Sequence, residues 1–218
     1  MKILVIAAHP DDEVLGCGGT IAKAVQAGHE VQVLHLTTVT TARGDVDTRE
    51  RAIKKAAGVL GCTTCLFSFS DQRFDQLPLL TLTKTLEQVL THFKPDVVYT
   101  HHISDLNQDH QAVARASLIA TRPLPGSTIK EVLMYPVLSS TEQSFGLLQP
   151  TFRPNVFTDI DTTFSAKLGA MRCYESELRE YPHPRSIAAI GGEARHYGSM
   201  VGIKFAEAFE LVRSVRVS

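Results

Sequence analysis

Apolar residues run through this chain in two alternating modes: short unbroken stretches, and longer segments in which they return every three or four positions. Ile3-Leu4-Val5-Ile6-Ala7 is unbroken and has β-branched members, which predicts a strand buried on both faces. Val31–Leu36, Cys65–Phe67, Val97–Thr100 and Val132–Tyr135 follow the same pattern, and Asn155–Ile160 is a late sixth candidate. Between them, helical spacing appears in Thr20–Val25, closed near Gly28, and in Ile53, Ala56, Ala57 and Leu60, stopped by Gly61. It returns in Leu82, Leu86, Val89, Leu90 and Phe93, ended by Pro95. Val113, Ala116 and Ala120 mark another helix, with Asp109 or Asn107 as its cap, and Phe164, Leu168 and Met171 a further one. After the interruption Tyr181-Pro182-His183-Pro184-Arg185 the pattern predicts the last helices, among them Ala206 to Arg213. Strands alternating with helices in this way define an α/β class: a doubly wound, mostly parallel Rossmann-like sheet with helices on both faces.

Bulk properties narrow this picture. A length of 218 residues suits one domain over 1–218, and a hydrophobic content of 44% supplies a sizeable core. The net charge is −1 and no basic cluster exceeds two residues, so no nucleic-acid or anionic-membrane surface is indicated. No apolar stretch approaches the roughly 18–20 residues of a membrane span. The first strand starts at Lys2 or Ile3, which leaves no room for a signal peptide, and a cytoplasmic setting is expected. Cys17, Cys62, Cys65 and Cys173 show no disulfide-framework spacing. Cys62-Thr63-Thr64-Cys65 has the CxxC form without a second ligand pair, and reads as small side chains at a helix-to-strand junction.

The chemistry gathers at two strand exits. Pro10 ends the first strand, so Ala8-His9-Pro10-Asp11-Asp12-Glu13 presents an imidazole and adjacent carboxylates at the carboxyl end of an inner strand, where α/β sheets place their ligands. The fourth strand leads into His101-His102-Ile103-Ser104-Asp105-Leu106-Asn107-Gln108-Asp109-His110. First and fourth strands are commonly neighbours at the point where strand order reverses, which would bring His9, Asp12 and His110 together. Two imidazoles and one carboxylate leave a coordination position open, the pattern of catalytic zinc, and iron(II) accepts the same set. Such an ion lowers the pKa of its bound water toward ~7 and polarises a carbonyl. Asp11 is then left as general base and acid, and Asp109 can hydrogen-bond a ligand histidine or hold Asp11. His101 and His102 are near by position, but strand-end histidines are more often packed than catalytic. Glu13 suits a helix N-terminus. Gly16, Gly18 and Gly19 are spaced GxGG rather than GxGxxG and indicate close packing of the first helix.

At these residues the sequence resembles the LmbE-like, or PIG-L, family of metal-dependent N-deacetylases acting on N-acetylglucosamine-type sugars. AHPDDE at 8–13 followed by a later Asp109-His110 carries the resemblance, and the order of elements fits over nearly the whole chain. It implies zinc on His9, Asp12 and His110, Asp11 as base, and a small amino-sugar substrate held by Arg49 and Asp71, with Arg43 a less favoured substitute for Arg49. It also makes a homo-oligomer plausible. Where several members have His-x-Asp-His this chain has Asn107, whose amide can donate to an oxyanion but cannot protonate a leaving amine. Asp11 acting twice, or His183, would then do so, since His183-Pro184-Arg185-Ser186 resembles a C-terminal motif of some members. Arg185 could bind an anionic group of the substrate or pair with a nearby glutamate.

Three functions compete on these grounds. The leading one removes an N-acetyl group from an amino sugar or its conjugate. The second keeps the metal site but cleaves another small amide conjugate. The third is a nucleotide-binding regulatory module built on the glycine turn, which the adjacent acidic pair disfavours through repulsion of a pyrophosphate.

Overall fold

The structure is a computed structural model that describes residues 1–38, 46–148 and 150–216. Arg43 falls outside the described residues. Among the described residues, seven strands form one sheet in the order β3-β2-β1-β4-β5-β7-β6. They are β1 (Lys2–Ala7), β2 (Glu30–His35), β3 (Thr63–Leu66), β4 (Val97–His101), β5 (Glu131–Tyr135), β6 (Val156–Asp159) and β7 (Ala206–Ser214). β1 to β5 are parallel, and β7 runs antiparallel to both β5 and β6.

Alternation along β1 sorts its side chains between two cores. Ile3 and Val5 face α1 (Asp12–Gln26), α2 (Val46–Leu60) and α5 (Phe164–Met171), where they join Val14, Ile53 and Met171. Leu4 and Ile6 face α3 (Leu79–Phe93) and α4 (Gln108–Ala120), where they join Leu82, Leu86 and Val113. A strand buried on both faces must be apolar at successive positions, which is why β1 reads as an unbroken run. The remaining helix, α6 (Ile187–Val201), packs beside β7. β1 pairs with β2 on one side and β4 on the other, so strand order reverses between β1 and β4. Both chemically rich turns therefore leave the sheet side by side.

Two expectations are corrected. Ala206 to Arg213 is strand, not helix. Its alanines, glutamates and leucine favour a helix locally, but Phe209 packs edge-on against Tyr99 of β4, ring centroids 4.9 Å apart, and Glu207 is buried; tertiary packing overrides a weak propensity. The glycine run is also not a turn ahead of the first helix, because α1 starts at Asp12 and contains it. A Cβ on Gly16 would lie 2.2 Å from the Tyr135 ring and one on Gly19 2.7 Å from Ile160. Only glycine permits that approach, and a backbone coiled into a packed helix offers no phosphate cradle, which removes the basis of the nucleotide-binding alternative.

Candidate active site

Asp11 caps α1 with φ 106° and ψ −25°, a left-handed conformation that costs a non-glycine residue about 1–3 kcal/mol. Its surroundings hold it there. The Asp11 amide donates to Glu13 Oε2 at 3.1 Å, and Arg185 Nη1 donates to Asp11 Oδ2 at 2.9 Å. Glu13 is itself buried, accepting from the Tyr174 hydroxyl at 2.5 Å with His35 Nε2 3.1 Å away. It thus ties the turn to β2 and to the segment after α5, more than favourable charge at a helix end.

The second turn is organised by Asp105, which sequence reasoning passed over. The buried Asp105 carboxylate accepts from Ser140 Oγ, from Thr141 Oγ1 at 2.6 Å and from the Asn107 amide at 2.8 Å. It also stands 3.2 Å from His110 Nδ1, which turns the other ring nitrogen outward. Asn107, rather than Asp109, caps α4, its Oδ1 accepting from the Asp109 amide at 2.8 Å. Asp109 instead contacts His9: Oδ2 lies 2.9 Å from His9 Nε2 and accepts from the Gln72 amide, while Oδ1 accepts from the Phe74 amide. Asp71 Oδ1 reaches the same His9 nitrogen at 3.2 Å. His101 is fully buried, accepting the Ala8 amide at 2.9 Å, and His102 packs edge-on against Phe152.

Between the turns, His9 Nδ1, Asp12 Oδ2 and His110 Nε2 converge with separations of 3.1, 3.3 and 3.4 Å. Ligands about 2.0–2.1 Å from a tetrahedral zinc ion stand about 3.3–3.4 Å from one another, so the donor set fits. A second observation agrees. Asp12 Oδ1 is buried without a hydrogen-bond partner among the described residues, an arrangement that an unanswered carboxylate would make costly. His9, Asp71 and Asp109 also come close enough to hold a cation, but through the opposite nitrogen of the same ring. An Nε2–H donating to Asp109 fixes the tautomer in which Nδ1 is the ligand, the usual role of a carboxylate behind a metal histidine.

Protonation reflects this crowding of carboxylates. Burial pushes the Asp11 carboxyl up, Arg185 opposes it, and Asp12, Glu177 and Glu13 add to the rise, leaving it at about 7. Burial also works against charge on Asp12, but His110 and His101 outweigh it and hold Asp12 well below the carboxylate range. For His110 burial is overcome by Asp12 and Asp105, which raise it to about 9; for His9 burial is overcome by Asp109, Asp12 and Asp71. Imidazoles that hold protons this firmly without a metal must release them to bind one, so affinity rises with pH.

Beside these groups opens a cavity of about 440 Å³, lined in part by His9, Asp11, Arg49, Asp71, Asn107, His183 and Arg185. Apart from Arg43, which lies outside the described residues, the candidate site residues named from the sequence are therefore brought into or directly behind one pocket, together with Glu177, Ser139 and Gln143, which were not. Glu177 bridges two of the cations: Arg49 Nη2 donates to its Oε1 at 3.0 Å and Arg185 Nη1 reaches its Oε2 at 3.2 Å. Arg185 Nε donates to Ser139 Oγ at 2.9 Å. His183 accepts the Arg185 amide on Nδ1 at 3.0 Å. Ser139, Gln143 and Glu177 lie in segments without apolar period or paired-ligand spacing, so nothing local marked them.

A doubly wound sheet with a His-Asp-His donor set at its switch point and a carboxylate beside it defines a metal-dependent hydrolase class. The chain belongs to the PIG-L family, whose profile, described as GlcNAc-PI de-N-acetylase, matches residues 4–121. It is 33% identical over 181 residues to the uncharacterized deacetylase YaiS of Escherichia coli K12, covering 80% of this chain and 90% of that one. It is 28% identical over 235 residues to the diacetylchitobiose deacetylase of Thermococcus kodakarensis, covering 98% and 84%. Among solved structures it resembles the conserved protein TT1542 of Thermus thermophilus (TM-score 0.79, 25% identity, 99% and 96% covered). The 4-carboxy-2-hydroxymuconate hydratase GalB shares the fold as well (TM-score 0.74, 23% identity, 100% and 98% covered). A hydratase on this scaffold means that the reaction must be argued from the site.

Proposed function

We propose that this chain is a zinc-dependent hydrolase that removes the N-acetyl group from an N-acetylglucosamine-type amino sugar or its conjugate, releasing acetate and a free amine. The observation that carries the reading is the convergence of His9 Nδ1, Asp12 Oδ2 and His110 Nε2 beside an Asp11 that is left out of the donor set and faces the pocket. His9, Asp12 and His110 would hold the ion, which when bound acidifies water and polarises the acetyl carbonyl. Iron(II) suits the same donors.

The residues of the chain do the rest. Asp11, at about 7, takes a proton from the attacking water near neutral pH and can return it. The water oxygen bonds to the acetyl carbon, the C–N bond breaks with its electrons on nitrogen, and the returned proton leaves with the amine. Asn107 uses its amide oxygen for the helix cap, so its N–H groups serve the developing oxyanion. His183, at the mouth, is the alternative donor of that proton. Arg49 and Arg185, steadied by Glu177, and Asp71 offer hydrogen bonds to sugar hydroxyls. Asp109 and Asp105 keep the two histidines aimed.

The reading takes 1–218 as one domain, in the cytoplasm, with its four cysteines unpaired. Among the described residues no helix is long and apolar enough to cross a membrane. Elemental analysis of the purified protein, joined to an acetate-release assay on N-acetylglucosamine derivatives, tests the proposal on the wild type and His110→Ala. One metal per chain, lost with acetate release in the variant, is the expected result. Metal without acetate release rejects the substrate class, and a folded protein that takes up no metal rejects the site.

A further inference from the structure

One side of the cavity is built as a clamp for an anion, and the chain fills it with its own carboxylate. Arg49 comes from α2 and Arg185 from the segment ahead of α6, and both line the cavity. The two carboxylate oxygens of Glu177 take one guanidinium each: Oε1 accepts from Arg49 Nη2 at 3.0 Å and Oε2 from Arg185 Nη1 at 3.2 Å. The Glu177 side chain is 7% exposed and that of Arg49 11%. The backbone is fixed as well, the Glu177 amide donating to the Tyr174 carbonyl at 2.9 Å while the Tyr174 hydroxyl donates to Glu13. The negative charge is thus held in place. Around the cavity Arg49, Arg179 and Arg185 meet Asp11, Asp71 and Glu177, so Glu177 brings the wall to balance. Arg49 and Glu177 also border a second cavity of about 340 Å³, where Arg51 and Lys55 add positive charge against Glu175.

Two guanidinia around one anion is the arrangement in which proteins recognise a carboxylate or phosphate of a ligand. Here the position is taken. A substrate phosphate brought to this wall meets a carboxylate instead of an open pair of cations, and like charges placed together away from water repel strongly. A sugar hydroxyl meets no such penalty, because it both accepts from a guanidinium N–H and donates to a carboxylate oxygen. We propose that Glu177 is the specificity-determining residue of this site: by occupying the Arg49–Arg185 clamp it restricts the enzyme to amino sugars uncharged on the side that faces the clamp. This rests on the deacetylase reading above. Specificity is then built by an opposing element and not by an added attraction. Without Glu177, Arg185 still donates from Nη1 to Asp11 Oδ2 at 2.9 Å, whereas Arg49 loses this anchor, so an entering anion pairs chiefly with Arg49.

The test uses the metal-loaded protein and compares acetate release from N-acetylglucosamine, its 1-phosphate and its 6-phosphate. Wild type, Glu177→Ala, Glu177→Gln and Glu177→Asp are assayed, and inorganic phosphate is titrated into each by calorimetry. The wild type should favour the neutral sugar. In Glu177→Ala the ratio of kcat/KM for the better phosphate to that for the neutral sugar should rise at least about tenfold, about 1.4 kcal/mol, chiefly through KM. Inorganic phosphate should bind that variant tighter than wild type by a similar factor. Glu177→Gln should move the ratio the same way by less, and Glu177→Asp, which keeps the charge, should hold it near the wild-type value. Adding Arg49→Met to Glu177→Ala should remove the gain. A wild type that uses a phosphorylated sugar as well as the neutral one overturns the proposal, as does a ratio unmoved in folded Glu177→Ala and Glu177→Gln. Should Glu177→Ala fail to fold, the isosteric Glu177→Gln decides. A gain that persists after Arg49→Met places the anion elsewhere and also overturns it. Acetate from none of the substrates overturns the deacetylase reading, and the titration still decides the clamp: equal phosphate affinity in wild type and Glu177→Ala rejects it.

Discussion

Buried charge is concentrated at two places in this fold, and the two are built on opposite terms. At the middle of α1, Lys167 and Glu207 pair at 2.6 Å, both essentially without solvent. Both charged side chains are answered, although the Thr20 hydroxyl beside them has no partner among the described residues. Lys167 Nζ also donates to the Leu15 carbonyl, Glu207 accepts the Gly19 and Thr20 amides at 2.9 and 2.7 Å, and Thr163 Oγ1 donates to the Gly19 carbonyl. The pair is spliced into the helix ladder where the glycines let β7 and α5 come close. At the sheet's carboxyl end, by contrast, Asp12 Oδ1 and His101 Nδ1 are buried without hydrogen-bond partners among the described residues, and imidazoles face one another at 3.1 Å. A saturated cluster needs nothing further and is architectural. An unsaturated one has the open donors that an ion and a substrate could fill, and the difference shows in which property a substitution destroys.

Asp11→Asn should give the largest effect: kcat falls about 10²–10⁴-fold, the worth of a general base, with metal content unchanged. Normal turnover with metal retained would remove Asp11 from the mechanism. The same variant sharpens the contrast in stability. Asp11 is raised from 3.8 to about 7 in the fold, so the folded state holds its proton where the unfolded chain has lost it. That contribution is fully present below pH ~4 and is lost as pH rises through about 7. Metal-free Asp11→Asn should therefore match wild-type stability in acid and exceed it above neutrality, as read by urea unfolding across pH. The reverse pH trend would refute the raised carboxyl.

Lys167→Met attacks the saturated cluster, and there the loss is in folding. Leaving Glu207 as an unpaired buried charge should cost about 3–5 kcal/mol in denaturant unfolding. The folded fraction should still bind one metal per chain and turn over normally. A variant as stable as wild type that failed to bind metal would reverse the assignment of the two clusters.

The contrast also explains what could be read from the chain alone. The candidate metal donors were legible because His9 and Asp12 fall in one short turn, with Asp11 between them, at the end of a strand whose burial shows as an unbroken apolar run, and because Asp109-His110 ends the exit of a second such strand. Adjacent donors at predictable strand ends leave a local trace. Lys167 and Glu207 left none, since one sits in a largely apolar helix and the other among alanines, forty positions apart, and only the fold joins them. For the same reason β7 read as helix: its residues favour one locally, and its pairing between β5 and β6 is a long-range fact. Asp105 could have been suspected as the other carboxylate, beside Asp109, in the exit from β4, five residues ahead of His110. No spacing rule distinguishes it from a turn aspartate.

Asp105 tests how far the receptor depends on its supports. Asp105→Asn keeps size and most hydrogen bonds but removes the charge behind His110 Nδ1. Metal affinity should fall about 10–100-fold, the usual consequence of losing a carboxylate behind a histidine ligand, while the fold persists. Competition against a chelator of known affinity measures it. An unchanged affinity would reduce Asp105 to an anchor for Ser140 and Thr141.

The smallest effect is expected at Arg185, and it concerns position on the pH axis. Its guanidinium touches both Asp11, at 2.9 Å, and Glu177, at 3.2 Å, and its charge is the largest influence that holds the Asp11 carboxyl down against burial and three neighbouring carboxylates. In Arg185→Ala those opponents act unchecked, so Asp11 must rise further. A base that is protonated to higher pH shifts the acid limb of the kcat/KM profile upward. Arg185→Lys keeps the charge while losing the planar fork that also reaches Ser139, so its limb should stay nearer the wild-type position even if KM rises. An acid limb that moves equally in both variants would place the effect in substrate binding. One that moves in neither would mean that the group titrating in the profile is not Asp11.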